Sequence, residues 1–191
     1  GFLKGGIEID IWSSLSRFYS LSLFQVCYIM LCLIAIWTVI PVFSKCKIYR
    51  WWKKFNILSF AFSLLLIIKM TLWDRSVGFR EVELRPFYTL TTISYNNEAL
   101  RTLLMNVILF LPFGLTIPYV AEVIKIRKNK FRWILCMVSG FLLSVAIESF
   151  QYYFCLGRAE TDDVICNTLG CVLGVMANVI SYRKRKQFTK V

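Results

Sequence analysis

Long apolar runs alternate with short charged segments along the chain. The runs cover about residues 21–43, 55–73, 102–123, 133–156 and 164–182. Each approaches the roughly 20 residues that carry a helix across the hydrocarbon core. They are continuous rather than alternating in hydropathy, which excludes a transmembrane β-barrel. The pattern predicts an all-α integral membrane protein with five transmembrane helices. Pro41 falls at the end of the first run, where proline is tolerated. The third run carries Pro112, Gly114 and Pro118, and a kink near Pro112 is expected. Between the second and third runs lies a longer segment, 74–101, with four arginines against four acids. Pro86 and the Thr-rich stretch after it argue against a helix at its centre. Residues 1–19 are mixed, and Ile7, Ile9, Ile11 and Trp12 suggest a segment at the bilayer surface.

Composition agrees with this class: 58% of the residues are hydrophobic and the mean hydropathy is +0.61. No signal peptide of the usual form opens the chain, and a start at Gly1 without methionine is compatible with a trimmed amino terminus. Charge then supplies direction. Three clusters, at 45–54, 125–132 and 183–190, each hold five Lys or Arg and no acid. The other segments are neutral or acidic. Five spans put the clusters on one side, so the positive-inside rule places the amino terminus outside and the carboxyl terminus inside. Each cluster abuts a span, so the net charge of +12 faces phospholipid headgroups rather than nucleic acid. The cluster at 45–54, with its tryptophans, is expected to be a short juxtamembrane loop.

Several polar residues break the apolar runs: Lys69 in the second, Asn106 in the third, Glu148 and Gln151 in the fourth and Asn167 in the fifth. Arg158, Glu160, Asp162 and Asp163 lie in the loop between the last two. With this topology and a rise of roughly 1.5 Å per residue, all of them fall in one layer, the outer leaflet and its surface. Gly140, Ser144, Glu148, Gln151 and Cys155 form one helical stripe, and Asn106, Phe110 and Gly114 another. Gly170-x-x-x-Gly174 shares a face with Asn167 and suits close approach of a second helix. An ionised group facing lipid is unfavourable by about 2.5–3.5 kcal/mol on the lenient insertion scale. Lys69, Asn106, Glu148, Gln151, Asn167 and at least one of Asp162 and Asp163 are therefore expected to line one pocket open to the outer face. Structural roles are the alternative: Glu148 neutralised by Lys69, the asparagines as interhelical glue, and the aspartates capping the fifth helix.

Histidine is absent, which removes the commonest metal ligand and base. No C-x-x-C pair occurs among the seven cysteines, which suit packing. Cys155 and Cys166 flank the same loop and could pair on an oxidising side. No cofactor and no resident metal is expected.

The segments NVILFLPFG (106–114), E-x-x-Q (148–151) and DDVICNTLGCVLG (162–174), with LRPF (84–87) and a lysine late in the preceding helix, at Lys69, resemble the VanZ-like family. The resemblance covers about residues 55–182. It divides the chain into an amino-terminal segment with an additional helix and basic loop, 1–54, and a VanZ-like four-helix membrane domain with a basic tail, 55–191. It implies a multi-pass protein of the bacterial cytoplasmic membrane. The founding member is linked to teicoplanin resistance.

Two functions follow. In the first, a non-enzymatic envelope protein binds a membrane lipid or a lipid-linked cell-wall precursor and alters access of glycopeptides. Lys69 and Arg158 meet phosphate, Glu148 and Asp163 receive hydrogen bonds or cations, and Asn106, Gln151 and Asn167 orient the site. In the second, an intramembrane enzyme acts on an isoprenoid or phospholipid. Glu148 or Asp163 would then be catalytic, and Glu160, Asp162 and Asp163 could hold a divalent cation. Five spans without internal repeats argue against a stand-alone transporter.

Overall fold

The computed structural model describes residues 36, 37, 40, 46–73, 75, 77, 78, 80–92, 97–126 and 130–188. Helix α1 (Cys46–Ile68) runs into a π turn, Lys69–Trp73. Strand β1 (Glu81–Glu83) and the short α2 (Tyr88–Thr92) follow, then α3 (Asn97–Val123), α4 (Lys130–Tyr153), β2 (Arg158–Glu160) and α5 (Thr161–Phe188). Among the described residues four stretches are long and apolar enough to cross a membrane: Tyr49–Trp73, Leu100–Val123, Lys130–Tyr153 and Thr161–Lys186. The first predicted run lies almost wholly outside the described residues.

Several boundaries differ from the sequence reading. The basic segment expected as a loop is helical from Cys46. It holds no glycine or proline, so nothing stops the helix from extending past the apolar run. Asp162 and Asp163 lie inside the first turn of α5 rather than in the loop before it, where the helix dipole favours negative charge. The Thr-rich stretch forms α2 directly after the turn at Pro86 and Phe87. The chain is not purely helical: β1 and β2 pair in parallel, with Glu81 opposite Arg158 and Glu83 opposite Glu160. Strands of three residues are too short for alternation to reveal.

The packing contacts fix the directions of the helices. Phe60 meets Phe113, and Trp52 donates to Tyr119 at 3.2 Å, so α1 and α3 are antiparallel. Asn167 of α5 donates to Ser144 of α4 at 2.9 Å, while Cys171 lies against Cys136 and Gly140, so these two are also antiparallel. Helices α3 and α5 run parallel in the centre. A methyl group at Gly170 would fall on the carbonyl of Val107, one at Gly174 on Leu111, and one at Gly114 on the carbonyl of Cys171. Glycine is required here because two backbones touch. Phe110, Leu111, Phe113, Cys171 and Val175 fill the core around this contact. Apolar side chains on the outer faces of α1 and α4, among them Leu58, Phe62, Leu65, Phe141 and Leu142, are exposed, as lipid-facing positions require.

The bundle has two distinct ends. One gathers the basic residues: Lys53 pairs with Glu122 at 3.1 Å, Arg132 is buried against Trp133, and Arg185 stands over Tyr49. At the other end the two long connections, 74–96 and 154–160, meet through β1 and β2. Gly78 reinforces this tie by donating its amide to the Cys155 carbonyl at 2.7 Å.

Candidate functional site

Every polar residue singled out in the sequence lies at the end of the bundle closed by β1 and β2, but each has its own contact. Asp163, on the inner side of the first turn of α5, accepts from Asn106 Nδ2 of α3 at 2.7 Å. Glu148 of α4 accepts from the backbone amide of Glu160 at 3.0 Å. That bond satisfies a donor next to the start of α5 and holds β2 down on α4. Arg75, just after the π turn, acts electrostatically on both carboxylates, and its Nη1 lies 3.0 Å from where a methyl at Gly157 would stand. These charges form one group: two buried acids, each with a hydrogen bond, and an exposed guanidinium whose charge reaches both.

Asp162 points the other way. Its two oxygens accept from the backbone amides of Phe87 at 2.5 Å and Thr89 at 2.7 Å. Phe87 has φ of 62°, in the left-handed region that a bulky residue rarely occupies. A buried carboxylate receiving two amides there is a charge-assisted clasp on the LRPF turn. Arg85 closes the same turn by a two-pronged contact to Glu83, at 2.8 and 2.9 Å. That fork is the main reason the Glu83 carboxyl is pushed down to about 2.

Gln151 is 1% exposed and donates to the carbonyl of Thr71 at 2.8 Å. Thr71 lies in the π turn, a geometry that is rare and recurs at functional sites. Lys69 opens this turn and is half-buried. Asn167 donates to Ser144, and its Oδ1, like Gln151 Oε1, has no hydrogen-bond partner among the described residues. Arg158 faces its own strand pair, with Glu81 at 3.2 Å and Glu160 at 3.7 Å. It ties the two connections together. Cys155 and Cys166 are both free thiols. The described residues contain no group of acids, cysteines or histidines arranged to hold a metal ion.

A cavity of about 140 Å3 opens beside this group, between the π turn and the start of α3. Its wall includes Thr71, Arg75, Arg101, Thr102 and Asn106, with Met70, Met105 and Leu109. Of the eight binding candidates read from the sequence, Asn106 is in that wall. Arg75 and Arg101 were not singled out, because they flank apolar runs instead of interrupting them. Their signal was position: each lies within a few residues of a span on the side that carries few basic residues.

A model of the VanZ/LLP1 family matches residues 25–182. Protein VanZ of Enterococcus faecium is 33% identical over 87 residues, which is 46% of this chain and 50% of that protein. The chain thus aligns with about half the length of that relative. No solved structure matches the chain.

Proposed function

The chain belongs to the VanZ/LLP1 family, and from that membership we propose that it is a bacterial cytoplasmic-membrane protein that lowers the action of glycopeptides such as teicoplanin. It does so by holding a lipid-linked headgroup, a cell-wall precursor or another envelope lipid, at the outer leaflet. The similarity to Protein VanZ supports the resistance context. Orientation rests on charge. The basic ends of α1, α4 and α5 come together at one end of the bundle, so the opposite end, with Asn106, Glu148 and Asp163, faces outward by the positive-inside rule. The first apolar run adds a fifth span and leaves the amino terminus outside.

The observation that carries this reading is the cavity of about 140 Å3 next to the group formed by Arg75, Glu148 and Asp163. Ionisable groups at this depth are expensive and mark functional sites by default. Expression of the chain in a susceptible host tests it. Binding of a labelled lipoglycopeptide to whole cells should fall, and susceptibility with it. Asn106→Ala, at equal protein level, should restore both. Unchanged binding and susceptibility on expression of the unaltered chain would remove the proposal.

The enzyme reading keeps Glu148 and Asp163 as candidate catalytic acids on an isoprenoid or phospholipid. The charge of one guanidinium, Arg75, reaches both, which favours it. Lipid mass spectrometry separates the two readings: a species that appears with the chain and vanishes in Glu148→Gln identifies a reaction.

A further inference from the structure

The geometry points to a phosphate-bearing group as the occupant of the cavity between the π turn and α3, held between Arg75 and Arg101. The inference rests on the headgroup-binding reading and narrows its chemistry. Among the described residues the cavity wall carries two guanidinium groups and no carboxylate. Two described acids nearby already have hydrogen bonds: Asp163 receives Asn106 and Glu148 receives the Glu160 amide. A cation entering here would meet two arginines, whereas an anion would meet donors. Guanidinium groups match phosphate by a planar fork, and two of them suit a tetrahedral group better than a single ion pair would. Thr102 and Asn106 add polar wall, and Met105 and Leu109 an apolar one. That combination fits an acyl-linked headgroup better than a free ion. The space far exceeds the roughly 10–15 Å3 that admits one water.

Arg75 has a second role in this arrangement. It acts on Glu148 and Asp163 and also forms part of the cavity wall. Its charge therefore reaches the two buried acids from the same wall that would meet the ligand.

The test uses the full chain in nanodiscs of phosphatidylcholine. Small fractions of phosphatidic acid, diacylglycerol or oleate are added, or inorganic phosphate is placed in the buffer, and bound molecules are counted by native mass spectrometry. Phosphatidic acid should be retained over diacylglycerol and oleate by at least about tenfold. Displacement of phosphatidic acid by inorganic phosphate at equal concentration would assign the site to the free ion. Retention against it assigns the site to a lipid headgroup. Arg101→Gln should abolish the preference. Met105→Trp, which fills the cavity and leaves the number of charges unchanged, should lower retention of phosphatidic acid while thermal unfolding stays near that of the unaltered chain. Equal retention of diacylglycerol or oleate, or a preference that survives both variants, overturns the inference. If the preference is absent but whole-cell shielding persists and still depends on Asn106, the headgroup reading stands and its occupant is not recognised by phosphate. If the preference is present without shielding, the phosphate site stands and the resistance role falls.

Discussion

A carboxylate placed within a membrane span must be compensated locally, and Glu148 is compensated by backbone. Its oxygen receives the amide of Glu160, so the residue has a structural and a chemical role that substitution can separate. Gln keeps an acceptor for that amide and removes the charge. Ala leaves the amide without its partner, which is unfavourable by about 1–3 kcal/mol for a buried donor. Glu148→Gln should therefore unfold within about 1 kcal/mol of the unaltered chain and still lose glycopeptide shielding, whereas Glu148→Ala should also lose stability. Thermal unfolding in detergent, paired with the whole-cell assay, checks both. Shielding that survives in the stable Gln variant would make Glu148 purely structural. Asp162 gives the contrasting case. Both its oxygens are used by the amides of Phe87 and Thr89, so Asp162→Ala should release the LRPF turn and lower stability by about 2 kcal/mol or more. Increased hydrogen exchange confined to residues 85–92 would be its signature.

Between elements, the central contact is the parallel pair α3 and α5, where backbone meets backbone. Gly170→Ala places a methyl on the Val107 carbonyl and Gly114→Ala places one on the Cys171 carbonyl. Neither neighbour is a side chain that can rotate away, so each variant should be destabilised by about 1–3 kcal/mol or more, as overpacked cores are. Gly78→Ala, which meets nothing within 4 Å, is the matched control. Equal melting of all three would show that the helices can separate without loss. The LRPF turn answers to pH instead. The Glu83–Arg85 fork lowers the folded-state Glu83 value to about 2 from an ordinary 4.5. A lowered value means the fork contributes fully above the ordinary value and is lost as pH falls towards 2. Protection of residues 81–87 from hydrogen exchange, relative to the intrinsic rate at each pH, should fall over that acid window in the unaltered chain and be insensitive to it in Glu83→Gln. Arg85 is largely exposed, so the effect stays local. Much of this level was legible in the sequence. Gly170, Gly174 and Gly114 carried their spacing, and Glu148, Gln151, Asn106 and Asn167 stood out against apolar neighbours. Asp162 did not reveal its role, because its partners are backbone amides 73 and 75 residues away, and amides carry no side-chain signature. The π turn and the three-residue strands were equally silent, since neither has a periodicity long enough to read.

For the molecule as a whole, the remaining question is which end faces outward. The contacts give an alternating bundle with the β1–β2 closure at one end and the basic cluster of Lys53, Arg132 and Arg185 at the other. Lys and Arg near span ends resist translocation, whereas acids in such loops have little influence. That end carries Lys69, Arg75, Arg80, Arg85, Arg101 and Arg158, but Glu81, Glu83, Glu160, Asp162 and Asp163 lie among them, and Arg85 and Arg158 are paired with such acids. The opposite end carries an unbalanced excess. The β1–β2 end should accordingly lie outside. Gly78→Cys, exposed and with nothing within 4 Å, should react with a membrane-impermeant maleimide on intact cells. Lys184→Cys, exposed in the last part of α5, should react only after permeabilisation. Mass spectrometry of the adduct distinguishes each introduced thiol from the native ones. The reverse pattern would turn the cavity and its two arginines towards the cytoplasm, where an external glycopeptide and its cell-wall target do not meet, and the proposed route to resistance would fail even if the phosphate site held.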